Sequence, residues 1–145
     1  MANRFIKSSI WTSPNLNRLD DTAELFFYRL MPLPDDHGCF DADPRILKGI
    51  IFPLKEGWTP DIIGYQLISL VTNGIISIWS EGDRLYGLVI NWEKHQQCRT
   101  KFKRKTPIPP PPDQMLSEAD LRKVLSDIVI SCYRIYYNFS FISVC

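Results

Sequence analysis

The feature that most constrains this chain is a helix that runs into a two-stranded ribbon through one glycine. "TPDIIGYQLISLVTN" opens with Thr59 as a cap and Pro60 in the first turn, where a missing N–H costs nothing. Ile63, Leu67, Leu70 and Val71 then fall on one helical face, and Gly74 supplies a left-handed stop. "GIISIWSEGDRLYGLVINW" follows, two apolar runs joined by a polar turn in which Gly82 takes positive φ. A two-stranded ribbon alone is marginal in water, so its apolar face must complete a core built by other elements. Tyr86, Leu88, Ile90 and Trp92 alternate along the second strand and are the expected core-facing set. Trp58 and Trp79 belong to no stripe, and Trp79, beside the turn, is a candidate to face a partner.

Two helices are expected upstream. In "LDDTAELFFYRLM", Asp20 or Asp21 caps, and Asp21 with Glu24 fits a capping box. Leu19, Ala23, Phe26, Phe27 and Leu30 give its apolar stripe, and Pro32 and Pro34 end it. After a short extended piece around Cys39 and Phe40, Asp43 caps a second helix with Pro44 in its first turn. Its stripe is Ile46, Leu47, Ile50, Ile51 and Leu54, and Pro53 limits its length. Helix, extended piece, helix, helix, hairpin is the order of a winged helix-turn-helix, a mainly α fold with a small β-hairpin. The expected domain is residues 1–98. A basic and Pro-rich linker over 99–116 follows, with "TPIPPPPDQ" stiff and extended. Residues 117–145 are a C-terminal helix or tail, opened by Ser117 and carried through Leu125 or further.

With 45% apolar residues in a chain of 145, one ordinary domain can bury a core. The net charge of +1 conceals a segregation: residues 1–92 carry −3, whereas residues 93–105 carry +5. The four cysteines, 39, 98, 132 and 145, are too scattered for a disulfide framework, and "MANRFIKSSIWTS" has no apolar signal core. A reducing, cytoplasmic setting without a membrane is therefore expected.

"NLNRLDDTAELFFYRLMPLPDDHGCFDADPRILKGIIFPL" and "LVTNGIISIWSEGDRLYGLVINWEKHQQCR", followed by a basic stretch running into prolines, resemble one known family. It is the N-terminal domain of phage and prophage replication-initiation proteins, or replisome organisers. The resemblance spans roughly residues 1–110, and its most specific pieces are "RLMPLPDDHGCFDADP" and "VINWEKHQ". It implies a winged-helix fold, duplex DNA binding at a replication origin, and recruitment of the replicative helicase or its loader by a further C-terminal region. Residues 113–145 do not read as such a recruitment region.

Read residue by residue, the third helix presents Tyr65, Gln66, Ser69, Thr72 and Asn73 outward. Their amides and hydroxyls can hydrogen-bond base edges, but the helix has no Lys or Arg, and Asp61 repels phosphate. Backbone affinity then has to come from Arg84 at the hairpin turn, from Arg4 and Lys7, and above all from Arg99, Lys101, Lys103, Arg104 and Lys105 with Phe102 interleaved. The competing readings are a winged-helix transcriptional regulator and a protein-interaction module. The latter is favoured by the acidic body and uncharged third helix.

His37-x-Cys39 and His95-x-x-Cys98 offer four soft ligands, but the first spacing misses the usual knuckle, so neither metal nor cofactor is expected. No phosphate loop, dinucleotide glycine pattern or hydrolase signature is present, and no enzyme is expected. Asp35–Asp36 and Asp41/Asp43 read as turn and cap residues. The apolar stretch "IVISCYRIYYNFSFISVC" is a candidate homodimer surface.

Overall fold

Helix ends in this chain are set by short side-chain caps that the sequence announces. A computed structural model describes residues 3–96, 104 and 106–130. After a 3-10 turn over Ser8–Thr12, α1 is a single turn, Pro14–Asn17. Helix α2 spans Asp21–Leu30, and its cap is Asp20, whose carboxylate accepts from Ala23 N at 2.8 Å. Glu24 therefore does not close a capping box on Asp21; it accepts instead from the Tyr28 hydroxyl at 2.9 Å. Helix α3 spans Pro44–Ile51 behind Asp43, and α4 spans Pro60–Thr72 behind Thr59. Both have proline in the first turn, where it removes a donor that would have had no helical partner.

Strand β1, Cys39–Asp41, precedes α3, and β2, Ile76–Glu81, and β3, Arg84–Val89, follow α4. They form an antiparallel sheet in the order β1-β3-β2, with Phe40 opposite Gly87 and Trp79 opposite Tyr86. The β2–β3 turn uses Gly82 at φ +61°. The fold is thus mainly helical with a small three-stranded antiparallel sheet.

One face of the sheet meets the helices. Phe40, Ile76, Ile78, Leu85 and Val89 join Ala23, Phe26, Leu30, Leu47, Ile63, Leu67 and Leu70 in the main core. At its edge Phe52 and Trp58 stack at 4.0 Å between ring centres, which accounts for a tryptophan outside every stripe. Strand alternation sends Tyr86 to the opposite face, where it lies with Cys39 and Trp79 in a second buried cluster joined by Leu88 and Met115. The expected core set Tyr86, Leu88, Ile90 and Trp92 therefore does not share the helix-facing surface. Asn91 adopts φ +59° and turns the chain after β3, and Trp92 begins a short helix, α5, Trp92–His95. The Trp92 ring reaches the main core by that turn, and its Nε1 donates to Asp36 O at 3.2 Å.

Trp79 faces no solvent, being 2% exposed, because the Pro-rich segment crosses over it rather than standing free. Thr106 Oγ1 donates to Asp35 Oδ2 at 3.1 Å, and Leu116 N donates to Ile78 O on the open edge of β2 at 2.8 Å. Ser117 then caps a helix over 118–130, accepting from Asp120 N at 3.2 Å. Leu121 and Leu125 of that helix belong to the same buried cluster as α2, α3 and α4. Along α3 only Leu47 and Ile51 of the expected stripe are buried. Ile46 and Ile50 are exposed because they point away from α4, the element against which α3 rests, and Leu54 is exposed because α3 ends at Ile51 and leaves it in the following turn. Among the described residues no helix is long and apolar enough to cross a membrane.

Candidate nucleic-acid interface

Helix α4 is fixed at both ends before any tertiary contact is made. Thr59 Oγ1 accepts from Ile62 N at 3.3 Å. At the other end Gly74, at φ +70°, donates to Val71 O, and Ile75 N donates to Leu70 O at 3.0 Å. That double bond pattern closes the helix and aims the chain back into β2. Ile63, Leu67 and Leu70 are wholly buried, so among the described residues the exposed positions of α4 lie on the side away from them.

The structure brings the five sequence-predicted α4 residues onto that outer side with unequal access. Tyr65 is 61% exposed, and Thr72 is exposed. Gln66, Ser69 and Asn73 are half-buried, and the Asn73 amide donates to Ser69 O at 2.8 Å. The Glu118 carboxylate is held by Arg122 Nη2 at 2.9 Å, and that hydrogen bond is the main cause that keeps it below the usual glutamate range.

Of the predicted cations, Arg4, Lys7, Arg84 and Arg104 are described, and they lie elsewhere. Arg84, at the start of β3, donates to Asp41 Oδ2 at 2.7 Å, and its guanidinium sits 5.6 Å over the Tyr86 ring. Its hydrogen bond to Asp41 raises its pKa, so the charge is kept but directed at a carboxylate of the same chain. Arg104 donates to Cys39 Sγ at 3.7 Å, on the sheet face turned away from the helices. Burial pushes the Cys39 thiol up, and the Asp35 carboxylate adds to the shift against the opposing Arg104. Arg99, Lys101, Lys103 and Lys105 lie outside the described residues. Arg4 is not a surface cation: it pairs with Asp36 at 3.2 Å, donates to Pro34 O at 2.7 Å and stacks 5.0 Å over Trp92. Lys7 donates to Lys94 O at 3.0 Å. The described structure thus brings together the neutral α4 residues but not the predicted cations.

Arg45, not singled out from the sequence, is gripped by Asp43 through Nε at 3.0 Å and Nη2 at 2.7 Å. Burial raises the Asp43 pKa, but the Arg45 side chain and the backbone donors of Arg45 and Ile46 outweigh it and leave the carboxyl below its ordinary range. Arg45 and Arg84 line a cleft whose other wall is Val124, Asp127 and Ile128 of the 118–130 helix. A second cleft runs between Asp61, Gly64, Tyr65 and Ile68 of α4 and Arg122, Leu125 and Ser126 of that helix. The helix therefore lies beside α4 and beside the hairpin turn at once. The apolar spacing Leu121, Val124, Leu125, Ile128 was the signal for it, since a stripe of that width has to be covered.

The soft ligands stay apart in role: His37 lies in a turn where its N–H donates to Asp35 Oδ1, Cys39 in β1, and His95 in α5. Cys98 falls outside the described residues. Among the described residues no group of three His, Cys, Asp or Glu side chains is arranged to hold a metal ion. No protein-family model, no curated protein and no solved structure matches the chain.

Proposed function

We propose that residues 14–95 form a winged helix that binds duplex DNA, with α4 as the helix offered to the major groove and the β2–β3 turn as the wing. The observation that carries this reading is topological: α4 feeds β2 through Gly74, and β1, lying between α2 and α3, pairs with the far strand of the hairpin. That arrangement leaves the outer side of α4 and the hairpin turn as projecting surfaces, the pair a winged helix uses on DNA. Tyr65, Gln66 and Ser69 are the groove-facing side chains, and the cations over 99–105 hold the phosphates. A place in phage or prophage replication initiation, with helicase or loader as a further partner, follows the resemblance of residues 1–110.

The test is fluorescence anisotropy of the full chain with labelled duplexes across a salt series. Replacing Arg99, Lys101, Lys103 and Lys105 by Gln should remove a slope of about −4 in log affinity against log salt, and with it most low-salt affinity. Replacing Gln66 and Ser69 by Ala should relax sequence preference while leaving the slope unchanged. Absence of duplex binding by the native chain at low salt defeats the reading.

A second reading, an interaction module for protein, is favoured by one observation. Arg84 and Arg45 are each turned onto an aspartate, and Ile46 and Ile50 of α3 are exposed together with Leu54 in the turn after it. A co-purified protein partner lost on substitution of Ile50 by Glu, without any DNA affinity, is the outcome that selects it.

A further inference from the structure

We infer that the helix over 118–130 is a latch that holds the α4–hairpin groove closed against duplex DNA. The inference rests on the DNA reading above and adds regulation to the same surface. Leu121 is wholly buried and Leu125 is 3% exposed, while Val124 and Ile128 pack at their edges. These four side chains fill the channel between α4 and the hairpin, a channel that a duplex held by both elements has to enter. The seat touches α4 at Gly64, where Leu125 Cδ1 lies 3.8 Å from the place a Cβ would occupy, an ordinary contact distance.

The latch also has the wrong charge for a phosphate backbone. Residues 118–130 carry three carboxylates, Glu118, Asp120 and Asp127, against the two cations Arg122 and Lys123. Asp127 shares a cleft with Arg45 and Arg84, so a carboxylate sits where the wing's cations would meet DNA. Sterics and electrostatics therefore act in the same sense.

The helix is built to leave its seat intact. Its N-terminus is capped by its own Ser117, and Arg122 holds Glu118 one turn back at 2.9 Å. Of residues 118–130, only Leu121 and Leu125 are buried. The chain before it stays on the sheet, since Leu116 N is bonded to Ile78 O, so the helix would turn away about the Leu116–Ser117 junction.

The experiment locks the latch. A Cβ at residue 64 would lie 3.9 Å from the Cβ of residue 125, within the range of a disulfide. The full chain carrying Gly64→Cys and Leu125→Cys, with Cys98, Cys132 and Cys145 changed to Ser, is oxidised and then reduced with dithiothreitol. Each form is titrated into a labelled duplex at low salt, beside the native chain. The reduced form should bind at least about tenfold more tightly than the oxidised form, because a closed state that excludes DNA lowers apparent affinity by the open fraction. Equal affinity of the two forms overturns the latch and leaves the DNA reading standing. No binding by any form, the native chain included, overturns both. A second measurement uses the native chain alone: saturating duplex should speed hydrogen exchange at amides 119–129. Exchange there that stays the same or slows overturns the latch even where the cysteine variant is damaged.

Discussion

Replacing Gly87 by Ala is the sharpest test of how the sheet is joined to the helical core. Gly87 sits in the middle of β3, opposite Phe40 of β1, and the Phe40 ring lies flat across the position where a side chain would be. A Cβ there would meet Phe40 Cε1 and Cε2 at 2.7 Å, and Cζ more closely still. Ordinary carbon contacts fall near about 3.5–4.0 Å, so the ring has to move by roughly 1 Å. It has nowhere to go, since Phe40 is 2% exposed and its backbone is bonded into the ladder. Overpacking of this kind costs about 3 kcal/mol at the upper end of its range. The lost freedom of the unfolded chain returns about 0.7 kcal/mol, leaving a net loss of about 2 kcal/mol. At about 3 °C per kcal/mol for a domain of this size, Tm should fall by about 6 °C in a thermal melt followed by circular dichroism. The pair Phe40→Leu with Gly87→Ala should lose at least about 1 kcal/mol less than the sum of the single changes, because the smaller side chain vacates the space. A Gly87→Ala chain as stable as the native one, or strict additivity in the pair, refutes the contact.

Two further outcomes follow from the core and from its caps. Leu121→Ala should weaken the seating of the 118–130 helix by up to about 3 kcal/mol and lower the urea midpoint; an unchanged midpoint shows that the helix is not packed on the core. Asp43→Asn keeps a capping oxygen but loses the charge that Arg45 neutralises, and should cost about 1 kcal/mol in urea unfolding at neutral pH. The native Asp43 carboxyl titrates below its ordinary 3.8, so its contribution is present above that value and is lost as pH falls through the lower folded pKa. The gap between native and variant should therefore close in strong acid, and a gap that persists there counts against the ion pair.

Much of the frame can be read from the residues because it is local. Asp20, Asp43 and Thr59 cap, Pro44 and Pro60 open helices, and Gly74 and Gly82 turn, each through bonds made within a few positions along the chain. Those bonds set where the helices and the hairpin begin, turn and end, and the apolar stripe of α2 is buried as its spacing predicts. The faces were harder. On α3, periodicity alone gives five apolar positions, and only contact with α4 selects Leu47 and Ile51. On β3 both faces are apolar, so alternation could not say which met the helices.

What tertiary structure alone decides is where the charges and the last helix go. Nothing in the local sequence pairs Arg84 with Asp41 or Arg4 with Asp36, since the partners are 43 and 32 residues apart. Nor does the sequence reveal that Gly64 meets Leu125, a contact between segments that come together only when the chain closes on itself. The sequence by itself determined the helices, the hairpin and their order. Which α4 residues stay open, and that Arg84 and Arg4 are turned onto carboxylates, depend on contacts between distant segments.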